Sequence, residues 1–225
     1  MTALLLDVGH TLLHPAVPVE ETYVAAAAAR GLVREAPRVR AAFHDAFAHA
    51  RPPDGGLRYT GDGRPFWRRV VARALGTTDP EIFEALFQHY ARPEAWVLAE
   101  GAVPALDALR SAGVLVALVS DWDIRLRPLL RALGLLDHVD HASISCEVGV
   151  EKPDPRLFLD ACTALGVPPN QALHLGDDPH RDARGARLAG CTAWTWGVDL
   201  QSFTELPDRI AALRTGGGAP AARTL

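Results

Sequence analysis

Residues 2–8, TALLLDV, form a short apolar run closed by an acid. The run is too short for a helix and reads as a buried strand. Similar runs follow at 114–120 (VLVALVS), 172–176 (ALHLG) and 192–196 (TAWTW), with a weaker one at 139–145. Between them the apolar positions recur at helical spacing. That spacing predicts helices over 103–112, 124–133, 155–165, 181–189 and 203–214, several of them closed by glycine. Residues 18–90 carry only the helical pattern. Val24, Ala28 and Leu32 define one helix, and Val39, Phe43 and Phe47 a second, with a break near 31–37. Two more are expected over 65–75 and 80–90. Residues 51–63, rich in Gly, Pro and Asp, read as a loop, and the glycine-rich end reads as disordered.

Strands alternating with helices of about ten residues imply a parallel, doubly wound sheet. The expected fold is therefore α/β, with a Rossmann-like core formed by residues 1–14 and 98–215. An all-helical cap, 15–97, is inserted between the first strand and the rest, and 216–225 form the tail. Such sheets bind ligands at the carboxyl ends of their strands. Four groups fall at those ends: Asp7; Ser120 with Asp121; Lys152; and Asp177 with Asp178.

Composition narrows the field. The chain has 225 residues, a formal net charge of −4, 48% hydrophobic and 22% charged residues. Those values exclude a wholly disordered chain and a disulfide scaffold. The weak acidity argues against nucleic acid as the main partner. No apolar run reaches the roughly 18 residues of a membrane span. The start of the chain lacks the marks of a signal peptide. Cys146, Cys162 and Cys191 are scattered and odd in number, which suits reduced thiols and a cytoplasmic setting. Of 23 basic residues only one, Lys152, is a lysine. In a chain that uses arginine everywhere else, a single lysine at a strand end is a candidate for a specific task.

Carboxylates gathered at one sheet edge repel one another unless a cation sits among them. Oxygen ligands with open positions suit Mg²⁺, which shares its shell with water and phosphate. A lysine beside them supplies a point charge for phosphate, and hydroxyls and turn N–H groups complete an anion cradle. A carboxylate held rigidly at the end of a buried strand, as Asp7 is, could attack phosphorus.

The four groups, in this order, resemble the signatures of the haloacid dehalogenase superfamily. DVGHTL (7–12) is similar to the family's D-x-D-G-T-[LV]. LVSDWD supplies Ser120, GVEKPDP supplies Lys152, and GDDPHRD supplies Asp177 and Asp182. A helical insert between the first and second signatures matches the subgroup with a helical cap. The resemblance implies a nucleophilic Asp7, with Ser120 and Lys152 as catalytic, phosphate-binding partners. Thr11 and Asp121 join Ser120 and Lys152 as candidate substrate contacts. Candidate Mg²⁺ ligands are Asp7, the Gly9 carbonyl, Asp177 and Asp182, with Asp182 also suited to orienting the site.

One departure stands out. Gly9 occupies the position of the family's second Asp, which protonates the leaving oxygen and activates water. Such help is worth about 10²–10⁴ in rate. The expected activity is thus a slow Mg²⁺-dependent hydrolysis of a small phosphorylated metabolite, either a phosphomonoester or an acyl phosphate. It would proceed through an aspartyl phosphate and favour good leaving groups. The alternatives are a non-catalytic binding protein of the same fold and a 2-haloacid dehalogenase. Trp67 is expected in cap packing or at the crevice, Trp96 near the cap hinge and Trp122 at the pocket. Arg68, Arg69 and Arg73 are expected on a solvated helix face.

Overall fold

The computed structural model describes residues 1–50 and 56–215. The tail predicted over 216–225, and 51–55 of the predicted loop, lie outside them. Seven strands follow in chain order: β1 (Ala3–Leu6), β2 (Leu13–Pro15), β3 (Trp96–Leu98), β4 (Leu115–Ser120), β5 (His141–Ile144), β6 (Ala172–Gly176) and β7 (Thr192–Thr195). Five form one sheet in the order β5-β4-β1-β6-β7. Every pairing in it is parallel. This is the expected Rossmann-like α/β core.

Alternation along β1 and β4 explains its two covered faces. Leu4, Leu6, Val116 and Leu118 enter one apolar cluster, while Ala3, Leu5, Ala117 and Val119 enter the other. A strand buried on both faces must be apolar at every position, which is why these segments read as unbroken runs.

Among the described residues of the insert four α-helices follow: α1 (Val19–Ala28), α2 (Ala36–His49), α3 (Arg64–Leu75) and α4 (Pro80–His89). They enclose their own apolar clusters, built around Tyr23, Ile82 and Leu86 and around Phe66 and Val70. Asp79 starts α4 by accepting the N–H groups of Glu81 and Ile82, and Pro80 supplies the fixed φ of a first helical residue. The core helices are α5 (Ala102–Ser111), α6 (Leu126–Ala132), α7 (Ser145–Val148), α8 (Pro155–Leu165), α9 (Gly185–Leu188) and α10 (Leu206–Arg214).

Two features depart from expectation. The chain passes between core and insert through an antiparallel ribbon in which Leu13 faces Leu98 and Pro15 faces Trp96. The helix expected over 181–189 divides into a π-helical turn, Pro179–Arg184, followed by α9. Of the α3 arginines expected on a solvated face, Arg68 and Arg73 are exposed and Arg69 is half-buried. Arg69 donates to the Ala50 carbonyl, Arg73 to Asp45, and Arg68 lies over the Phe83 ring at 5.0 Å.

Candidate active site

The parallel register brings the ends of β1, β4 and β6 side by side. Asp7 follows β1, Ser120 closes β4, and Asp177 follows β6. Lys152 enters from the segment between α7 and α8. Its Nζ donates to Asp7 Oδ1 at 2.5 Å and to Asp182 Oδ1 at 2.5 Å. Lys152 and Asp182 are almost wholly buried, and Asp7 and Ser120 nearly so.

Burial pushes the Asp7 carboxyl up to about 7, Asp182 and Asp177 add to the rise, and Lys152 opposes it. Burial alone would discharge Lys152. Asp182, Asp7 and Asp121 outweigh it and hold the ammonium above the ordinary lysine range. Burial likewise works against the Asp182 charge, but Lys152 and His174 hold that carboxyl well below the carboxylate range. The lone lysine is thus a charged bridge between two acids.

Asp7, Asp177 and Asp182 each offer an oxygen within 4.8 Å of the others. Burial and the nearby Asp182 also raise the Asp177 carboxyl. Asp7 and Asp177, both raised, fit a divalent cation, which would offset their burial and their mutual repulsion. The three acids do not fit it equally. Asp182 Oδ1 also accepts from His174 Nε2 at 2.9 Å, and its Oδ2 accepts the Asp178 N–H at 3.1 Å. Both oxygens are already engaged, so Asp182 suits the orienting role better than direct ligation. Asp178 caps the π-helical turn by accepting from the His180 and Arg181 N–H groups.

Above these residues lies a cavity of 570 Å³, walled by Asp7, Gly9, Ser120, Asp121, Lys152, Asp177 and Asp182 at its base and by the insert above. Thr11, the remaining candidate, is fully buried beneath it. Its hydroxyl has no hydrogen-bond partner, and it does not reach the wall. Asp121 reaches the wall with its charge already answered. Its Oδ1 accepts the Lys152 N–H at 2.9 Å, and its Oδ2 pairs with Arg181 and lies 3.5 Å from Arg58 Nη2. His10 lines the cavity with φ of 59°, a backbone that Asn, Asp and His tolerate better than most residues.

Several contributors carried no sequence signal. Arg58 reaches from the insert to Glu151, donating through its backbone N–H at 2.6 Å and its Nε at 3.0 Å. Arg181 and Arg125 are likewise indistinguishable by type among the 22 arginines. Arg125 grips the fully buried Asp123 with Nε and Nη2, both at 2.8 Å. Trp67 Nε1 donates to the same carboxylate at 3.0 Å. Trp67 therefore joins insert to core and also lines the cavity, as do Trp96 and Trp122.

A buried carboxylate, a lysine bridge and a further acid thus stand together at the edge of a doubly wound sheet. The chain belongs to the haloacid dehalogenase-like hydrolases, whose family model matches residues 1–190. It is 35% identical over 199 residues to mouse haloacid dehalogenase-like hydrolase domain-containing protein 3, covering 84% of this chain and 79% of the relative. It is also 35% identical over 247 residues to a phosphoserine phosphatase of Thermus thermophilus, covering 96% of each. The solved structure of a HAD phosphatase from Thermococcus onnurineus shares the fold. It has a TM-score of 0.65 and 23% identity, covering 93% of this chain and 98% of that one. No helix among the described residues is long and apolar enough to cross a membrane.

Proposed function

We propose that this hydrolase cleaves a small phosphorylated metabolite, a phosphomonoester or acyl phosphate, with Mg²⁺ and through an aspartyl phosphate on Asp7. The observation that carries the reading is the Lys152 bridge between Asp7 and Asp182 beside Asp177. Asp7, Asp177 and the Gly9 carbonyl would hold the cation. When bound, Mg²⁺ offsets the charge of the acids and of the phosphoryl oxygens. The relationship to the T. thermophilus phosphatase supports phosphoryl chemistry.

The residues divide the work. Lys152 fixes the Asp7 carboxylate and presents positive charge to the phosphoryl group. Ser120, at the end of β4, offers a hydroxyl to the same oxygens. Asp182 anchors Lys152, and His174 anchors Asp182. Asp7 attacks phosphorus and the leaving oxygen departs with its electron pair. Water then displaces phosphate from Asp7. Gly9 provides no proton at either stage, so both steps run without general acid–base help from that position. The free thiols accord with a cytoplasmic setting.

Gly9 is also compatible with a 2-haloacid dehalogenase, which needs no acid at that position. Such chemistry needs no cation, whereas the raised Asp7 and Asp177 carboxyls favour one.

The test is release of phosphate from acetyl phosphate and p-nitrophenyl phosphate, with Mg²⁺ and with EDTA, by wild type and Asp7→Asn. Release that requires Mg²⁺ and vanishes in Asp7→Asn upholds the reading. A burst followed by slow turnover would place the Gly9 deficit in the hydrolysis of the aspartyl phosphate. Metal-independent halide release from 2-haloacids, with no phosphate release, would replace it by dehalogenation.

A further inference from the structure

The cavity is too large and too aromatic for a phosphate and a few hydroxyls. Its 570 Å³ lies within the range of about 300–1,000 Å³ that accommodates drug-sized ligands. Aromatic residues are 7% of the chain. Yet all three tyrosines, three of the five tryptophans and four of the seven phenylalanines line this one space. The rings are held in place by one another. Tyr59 stacks on Trp67 with centroids 6.0 Å apart, Phe83 and Phe87 lie 5.5 Å apart, and Trp96 and Trp122 lie 5.0 Å apart. Arg125 lies over the Phe87 ring at 3.7 Å.

A second observation concerns position 9. A Cβ placed on Gly9 would lie 3.7 Å from Cζ3 of Trp122. The direction in which an acid at this position would project is therefore bounded by an indole. Position 9 itself offers no proton to a leaving oxygen, and an aromatic surface stands beside it.

Together these point to one leaving group. A phenolate departs without protonation far more readily than an alkoxide, its conjugate acid having a pKa of about 10, the value for tyrosine, against about 15.7 for water. We propose that the substrate is an aryl phosphate monoester, its phosphoryl group on Asp7 and its ring among Trp122, Trp96 and the cap aromatics. The proposal rests on the phosphohydrolase reading and adds the substrate class. Asp7 forms a bond to phosphorus as the aryl P–O bond breaks. The electron pair leaves on the phenolate, which takes its proton from solvent. Water then attacks phosphorus, returning Asp7 and releasing inorganic phosphate.

Four substrates separate ring recognition from leaving-group quality: phenyl, benzyl, ethyl and acetyl phosphate, each assayed with Mg²⁺. Burial of a ring predicts a KM for benzyl phosphate at least about tenfold below that for ethyl phosphate. The absent acid predicts a kcat for phenyl phosphate at least about a hundredfold above that for benzyl phosphate. Trp122→Leu and Phe87→Leu should each raise the KM for phenyl phosphate and narrow the benzyl-to-ethyl contrast. Calorimetric titration of wild type with phenylphosphonate and ethylphosphonate reads the pocket without turnover, and phenylphosphonate should bind at least about tenfold tighter. Equal affinity for the two phosphonates overturns the aryl assignment. So does turnover of acetyl phosphate with matching KM values for benzyl and ethyl phosphate, which would leave the phosphohydrolase reading intact. Failure to release phosphate from all four would overturn the phosphohydrolase reading itself, and the aryl assignment with it.

Discussion

Gly176 closes β6 directly against the Asp182 side chain. A Cβ at this position would lie 2.7 Å from Asp182 Cβ and closer still to its carboxyl carbon, a separation that real side chains do not tolerate. Alanine there must push Asp182 away from Lys152 Nζ and His174 Nε2, leaving buried polar atoms unpaired. Each such loss costs about 1–3 kcal/mol, more where a charge is involved. Gly176→Ala is therefore expected to lower the urea midpoint by the equivalent of at least about 2 kcal/mol and to reduce phosphate release at least tenfold. A midpoint unchanged within error would show that Asp182 has room to retreat. The adjacent carboxylates could be read in the sequence because acids at strand ends, with the only lysine, are a chemical pattern. His174 could not, because a histidine inside an apolar strand looks like any core residue until its neighbour is known. Arg58 and Arg181 were hidden by composition, since 22 arginines of one type carry no individual mark.

Elements with a long periodic pattern were legible, and those defined by pairing were not. The five strands of the main sheet and the four helices of the insert follow the apolar spacing. The β2–β3 ribbon did not show, because three residues cannot display an alternation and its partners lie at opposite ends of the insert. Residues 181–184 read as ordinary helix because the contacts made from the widened turn, Asp182 with Lys152 among them, are distant in sequence. The same is true of the clamp between α4 and α6. Arg125 Nη1 donates to the Phe87 carbonyl at 2.9 Å while the rest of its guanidinium holds Asp123. Removing the guanidinium leaves a fully buried carboxylate with only Trp67 Nε1 and a backbone N–H to face. Breaking one partner of a buried pair costs about 3–5 kcal/mol. Arg125→Ala should lose about that much in chemical denaturation. Arg125→Leu combined with Asp123→Leu should recover part of it. A loss below about 1 kcal/mol in the single variant would show that the pair behaves as a surface bridge and that the clamp is weak.

Across the whole molecule, buried titratable groups under the sheet edge pull stability in opposite directions with pH. His174 is wholly buried, in edge contact with Phe158, and donates to Asp182 beside Lys152. Burial draws its imidazole below the ordinary 6.5, and the opposing pull of Asp182 does not restore it. The unfolded chain therefore takes up a proton at this histidine near 6.5, and the folded chain only at lower pH. Below 6.5 the unfolded state holds more protons at this residue, so its contribution to stability falls as the pH falls, by at most about 1.4 kcal/mol per pH unit. Asp7 has the opposite sign. Its carboxyl, raised from 3.8 to about 7, binds a proton in the folded state where the unfolded chain has none. Its contribution is present below 3.8 and is lost as pH rises towards about 7. These two contributions oppose each other between about pH 7.5 and 5.5. His174→Gln, which keeps a donor for Asp182 but cannot titrate, removes one side of the balance. Its urea midpoint should rise on acidification relative to that of wild type over the same interval, while Asp7→Asn should fall relative to it. Parallel profiles for wild type and His174→Gln would mean that the imidazole titrates in the fold as it does in the unfolded chain, and a wild-type midpoint that rises on acidification relative to His174→Gln would mean that Asp182 prevails over burial.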